Sequence, residues 1–206
     1  MDTISLVLGV VAALLHAAAY VLYNRQAKLG QSQPNPISWS VWAFLAILNA
    51  LTFTGMSDRV SALQFVAGSV ACFCTFIYVL TIGKFAWPKR GAKEWKIFGL
   101  GIIAAIVWFA FHSAEWANMV VLLGFVISFK PTYDGVKADP NKETPLSWVI
   151  WTVAFGITII NLIIRDKELV AFITPVVLLL SHGSIAVLSR QSRKRTFQLR
   201  GALTTA

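Results

Sequence analysis

Seven mostly apolar stretches follow one another along this chain, divided by short polar segments: Thr3–Tyr23, Ile37–Gly55, Val60–Ile82, Trp95–Phe111, Trp116–Phe129, Leu146–Ile164 and Leu169–Leu188. A helix needs about 20 such residues, with a range of roughly 17–25, to cross the hydrocarbon of a bilayer. The pattern therefore predicts seven membrane-spanning helices. The fifth stretch is the shortest and is expected to borrow Lys130 to Tyr133, with Pro131 bending it near one interface because proline cannot continue the amide ladder. The spacers around Ser57-Asp58-Arg59 and from Arg165 to Glu168 leave room only for tight turns. Spans two and three, and spans six and seven, should be antiparallel hairpins.

Two of these stretches open almost alike. Pro36-Ile37-Ser38-Trp39-Ser40-Val41-Trp42 leads span two, and Pro145-Leu146-Ser147-Trp148-Val149-Ile150-Trp151 leads span six. Upstream, Tyr23-Asn24 matches Tyr133-Asp134 at nearly the same distance; downstream, Asn49 falls on Thr158 and Thr52 on Asn161. An internal repeat at this scale sets the architecture of a membrane chain. Spans two and six lie four spans apart and so run the same way, which relates the copies by an axis along the membrane normal and leaves span four as a linker. The expected fold is all-α and polytopic, with two parallel three-helix bundles. They occupy residues 1–83 and 116–190, with a linker at 84–115 and a basic tail at 191–206.

Composition agrees with a bilayer as solvent. Apolar residues make up 57% of the chain, charged residues 13%, and the mean hydropathy is +0.68, against roughly 45–50% apolar and about 25% charged in soluble domains. Fifteen of the 18 Lys and Arg residues fall on one side of the predicted layout; Arg59, Arg165 and Lys167 fall on the other. Basic residues gather on the cytoplasmic side of short loops, so the amino terminus is expected outside and the carboxyl terminus in the cytoplasm. The first span then acts as an uncleaved anchor. The net charge of +9 is explained by this asymmetry and by the tail from Arg190 to Arg200, which can rest on anionic lipid. No nucleic-acid partner is called for; self-association is left open.

The candidate chemistry lies inside the spans. Positions seven apart return to nearly the same face of a helix, so Trp42 shares a stripe with Asn49, and Trp151 with Thr158. If spans two and six line a central cavity, Trp42 and Trp151 form aromatic walls, with Asn49, Thr52, Thr158 and Asn161 offering amides and hydroxyls to a solute. Trp39 and Trp148 join the candidate set, although their position near the boundary also suits anchoring in the interfacial aromatic belt. His16 and His182 are candidates for contacting a solute or carrying a proton. Ser38 and Ser147 read as helix caps or first-turn back-bonders, and Cys72 and Cys74 as small packing residues. Asp134, Asp139 and Glu143, interleaved with lysines, read as a solvated loop. Motifs of hydrolases, metalloproteases and phosphate-binding loops are absent from the sequence, and neither an enzyme activity, a cofactor nor a metal is expected.

Pro131, the polar loop from Thr132 to Thr144 and the helix entry Pro145-Leu146-Ser147-Trp148, set in a three-one-three layout, resemble the superfamily of the SWEET sugar facilitators, PQ-loop carriers and PnuC-type vitamin transporters. The resemblance covers the whole chain in topology. It implies a facilitator of a small polar or ring-containing solute that works by alternating access of two bundles, with Pro131 as a hinge. The interior of the spans carries no carboxylate, which favours uniport. The other reading is a receptor, lipid-binding or assembly factor built on the same fold.

Overall fold

The computed structural model describes residues 2–34, 36–81, 103, 106 and 113–204. Among these residues the chain is helical throughout, with no strand: α1 (Asp2–Lys28), α2 (Pro36–Met56), α3 (Arg59–Thr81), α4 (Ala114–Ala138), α5 (Pro145–Ile164) and α6 (Leu169–Thr204), plus a single 3-10 turn at Pro140–Lys142. They correspond to predicted spans one, two, three, five, six and seven. The fourth predicted span, Trp95–Phe111, and most of the linker at 84–115 lie outside the described residues. All six helices are long and apolar enough to cross a membrane, the make-up of a multi-pass integral membrane protein.

Local chemistry explains where the helices begin and end. Proline opens both α2 and α5, where its missing amide hydrogen removes a donor that would have no partner anyway. Ser113 caps α4 by accepting the amide of Trp116 at 3.3 Å. At the end of α1, Gly30 takes a left-handed φ of 71°, which lets the Gln31 amide turn back to the Gln26 carbonyl at 2.8 Å. The fifth predicted span runs past the expected extension to Tyr133, as far as Ala138. Pro131 lies inside α4, which runs on to Ala138, and Pro175 lies inside α6; each removes the backbone bond to the carbonyl four residues earlier.

The helices close into a ring. α1 packs on α3 and α5, α2 on α3 and α4, and α6 on α4 and α5, so the order around the ring is α1, α3, α2, α4, α6, α5. Side-chain bonds set the directions. His16 meets Gln64 and Asn24 meets Thr75, so α1 and α3 run together. Ser5 meets Asn161 while Tyr23 meets Glu143, just before α5, so α1 and α5 run oppositely. Since α2 returns from α3 through a two-residue turn, α2 and α5 point the same way. The outer wall exposes Leu14, Val70, Ile163 and Leu180, whereas Asn49, Gln64, Asn118 and Asn161 are buried. A soluble protein would reverse that distribution.

One end of the ring is pinned by Asp58. Its Oδ1 accepts the amides of Val60 and Ser61, both at 3.0 Å, and so caps α3. Its Oδ2 accepts Arg165 Nε at 3.0 Å and Lys167 Nζ at 2.8 Å, from the turn between α5 and α6. Burial alone would raise the Asp58 carboxyl; the bonds from Lys167, the Ser61 amide and Arg165 outweigh it and hold the group well below the usual carboxylate range. A depressed carboxyl contributes stability above its unfolded value, near 3.8, and loses it only as pH falls through the lower folded value. Asp58→Ala removes the cap and is expected to cost about 1–2 kcal/mol, read as a lower Tm of purified protein at neutral pH. The difference from wild type should shrink only in strong acid.

Candidate solute cavity

Between the helices lies a narrow cavity of about 50 Å³, lined by all six described helices. The wall is aromatic: Trp39 and Trp42 from α2, Phe125 and Phe129 from α4, Trp148, Trp151 and Phe155 from α5, with Tyr20 from α1 and Phe65 from α3. Tyr20 and Trp151 meet edge to face at 4.9 Å, Trp39 and Trp42 at 5.3 Å, and Trp148 and Trp151 at 5.2 Å between centroids. Such contacts are worth about 0.5–1.5 kcal/mol each beyond the area they bury. No Asp, Glu, Lys or Arg reaches the wall.

The candidate residues divide into two groups. Trp42, Trp151, Trp39, Trp148, His16, His182 and Asn49 all line the cavity. Trp39 and Trp148 were also expected to suit the interfacial belt; at 2% and 1% exposure they face the interior instead. The opposite case is Trp116, 69% exposed on the outer wall. Thr52, Thr158 and Asn161 are buried but absent from the cavity wall. They are spent on other helices. Asn118 Nδ2 donates to Asn49 Oδ1 at 2.9 Å and Thr52 Oγ1 at 2.8 Å, while its Oδ1 accepts Thr174 Oγ1, joining α2, α4 and α6. Across the ring, Thr158 donates to Gln64 Oε1 and Ser5 donates to Asn161 Oδ1 at 2.6 Å, joining α5, α3 and α1. Asn118, Gln64, Thr174 and Ser5 escaped sequence reasoning, because nothing in the repeat marks them; intramembrane Asn and Gln are themselves the signal that could have found them.

These bonds fix the state of both histidines. Gln64 uses its oxygen for Thr158, so its Nε2 donates to His16 Nδ1 at 2.7 Å, which leaves the neutral ring's hydrogen on Nε2. His182 Nδ1 lies 2.7 Å from the Leu178 carbonyl, which can only accept, so His182 Nε2 keeps a free lone pair when the ring is neutral. Trp42 Nε1 donates to Ser128 Oγ at 2.7 Å and Trp148 Nε1 to Glu143 Oε2 at 3.1 Å. Trp151 Nε1, by contrast, is buried without a partner. An unmet buried donor costs about 1–3 kcal/mol. Together the wall offers ring faces, polar groups of His16, Tyr20, Asn49, Ser69 and His182, and no charged side chain.

Two smaller expectations change, those for Ser147 and Glu143. Ser147 does not cap its helix; it donates to Gln26 Oε1 on α1 at 2.8 Å. Cys72 is buried in the cavity wall and Cys74 is exposed on the outside. Glu143, expected to be solvated, is 3% exposed.

No known protein family, no curated protein and no solved structure matches this chain.

Gly68 gives His16 its place. A Cβ there would lie 2.8 Å from His16 Nε2 and 2.9 Å from Cδ2, distances that force the ring to move. Gly68→Ala is expected to break the Gln64–His16 bond and to lower stability by about 1–3 kcal/mol, seen as a drop in Tm. Gly156→Ala, whose Cβ meets only Leu179 at 3.8 Å, should change Tm little.

Proposed function

We propose that this protein is a membrane facilitator for a small, uncharged, polar or ring-containing solute, which passes through the cavity as two three-helix bundles rock about it. The observation that carries this reading is an aromatic cavity whose wall holds no charged side chain and is lined by every described membrane helix. A binding wall shared by two halves of a ring is what a rocking carrier requires. The bundles of the proposal are α1–α3 and α4–α6, related as parallel copies, with Trp95–Phe111 as the linking seventh helix. Two features support the pairing. The helices that begin with the repeated motif, α2 and α5, run the same way, and each takes part in a polar cluster with two helices of the opposite bundle. In this reading the amino terminus is outside, the basic end is cytoplasmic, and the layout is that of the SWEET, PQ-loop and PnuC-type carriers.

At about 50 Å³ the cavity holds on the order of a few waters, so a solute enters only when the ring parts. Pro131 in α4 and Pro175 in α6 each leave a carbonyl without its helical donor, and these are the places where a helix bends at least cost.

The test is a thermal-shift screen of purified protein against sugars, vitamins and amino acids. A solute present at a hundred times its Kd should stabilise wild type by about 2.7 kcal/mol. Trp42→Ala and Trp151→Ala should abolish that shift, while Trp116→Ala, on the outer wall, should retain it. If no solute shifts the wild type, or if the shift disappears equally in all three variants, the reading fails.

A further inference from the structure

The end of the ring that carries Lys28, Lys137 and Lys142 is covered by two connections stitched together. The Gln33 amide donates to the Lys142 carbonyl at 2.7 Å, Thr144 Oγ1 to the Gln31 carbonyl at 2.6 Å, and the Thr144 amide to Ser32 Oγ at 3.1 Å. Beneath this cover sits Glu143. Its Oε1 accepts the Tyr23 hydroxyl from α1 at 2.9 Å, and its Oε2 accepts the Trp148 indole from α5 at 3.1 Å. Tyr23 packs in turn on Trp39 of α2 at 4.9 Å, and Trp148 lies between the carboxyl and His182 of α6, 5.6 Å from that imidazole. One carboxyl therefore touches the wall of the cavity and ties α1 to α5.

What surrounds it is neutral. Tyr23 is the titratable group that faces it from α1, Ser32 lies beside it in the α1–α2 connection, and from α6 the nearest titratable ring is His182, on the far side of Trp148. On α4 the Lys137 ammonium sits over the Tyr133 ring at 4.5 Å. Lys142 precedes Glu143 in the chain, yet among the described residues Glu143 forms no ion pair. A buried carboxylate served only by neutral donors is costly. Burial pushes the Glu143 carboxyl up to about 8, with the bonds from Tyr23, Trp148 and Ser32 opposing part of the rise.

We propose that Glu143 is a proton-binding site that latches the basic-end mouth of the cavity: protonated while the mouth is shut, and ionised once water enters. The proposal rests on the reading of the cavity as a solute path and adds a proton to it. On opening, the carboxyl O–H bond breaks and the proton passes to the entering water; on closing, the carboxylate takes a proton back. The sign follows from linkage. In the shut state the carboxyl titrates near 8, in the open, hydrated state near its ordinary 4.5. Shutting is therefore favoured fully below about 4.5, weakens about tenfold per pH unit above that, and levels off beyond about 8.

Cys72, in the wall of the same cavity, reports the opening. With Cys74→Ser leaving one thiol, the full chain in detergent is treated with a water-soluble maleimide across the range from about pH 5 to about pH 9, with and without Glu143→Gln. The ionisation of the thiol is common to both proteins and cancels in the ratio. The expected result is a ratio of parent to Glu143→Gln labelling that climbs with pH and flattens beyond about 8. Tyr23→Phe, which deprives the carboxylate of a donor, should move the climb to higher pH. Equal labelling curves for the parent and Glu143→Gln overturn the latch and leave the cavity reading standing. Absence of labelling in every protein at every pH overturns both. Should Glu143→Gln fail to yield folded protein, the curve of Tyr23→Phe decides alone, and an unshifted climb overturns the proposal.

Discussion

A polar side chain inside a bilayer has no water to turn to, so its hydrogen bonds must come from other helices. Asn118, with no exposed surface, spends its amide nitrogen on Asn49 and Thr52 and its oxygen on Thr174. Gln64 does the same between His16 and Thr158. Each is a hub that cannot be satisfied unless three helices hold their places. The two hubs lie on opposite arcs of the ring, one joining α2, α4 and α6, the other α5, α1 and α3. The remaining features sit on the frame they make: the tautomer of His16, the Gly68 gap it fills, and the aromatic wall between the clusters.

The two ends of that frame are held differently. At the Asp58 end the bonds are charged, with Arg165 and Lys167 both on one carboxylate that also caps α3. At the other end they are neutral backbone and hydroxyl bonds around a buried Glu143. The cations beside Asp58 hold its carboxyl well below the usual range, whereas burial pushes the Glu143 carboxyl up to about 8 against the opposing pull of its neutral donors. The same residue chemistry thus gives a clamp at one end and, in the proposed mechanism, a latch at the other.

The spans were legible because a long apolar run has few alternatives to a membrane helix, and all but the fourth correspond to described helices. The direction shared by α2 and α5 agrees with the Ser-Trp-x-x-Trp repeat that opens both helices. Trp42 and Trp151 were placed on an inner stripe by their spacing from Asn49 and Thr158, and both line the cavity. What the sequence hid depends on long-range partners. Glu143 sits in a run of mixed charge that reads as solvated, and only Tyr23, 120 positions away, and Trp148 bury it. Trp39 and Trp148 lie near a helix end, where hydropathy alone cannot separate a lipid interface from a wall facing inward. Thr52 and Asn161 carry the polarity of a solute contact, but Asn118 and Ser5 claim them first.

The central claim is that the ring parts at one end and then at the other around a fixed cavity. Spin labels on Arg59 and Glu168 span the Asp58 end, and labels on Gln31 and Asn141 span the basic end; electron–electron distance measurements on both pairs in lipid nanodiscs read the two mouths directly. The account predicts two distances for each pair, with the long distance at one end gaining population as the long distance at the other loses it when a solute is added or the pH is raised. A single unchanged distance at both ends under every condition would contradict it, and would leave the cavity as the interior of a rigid bundle.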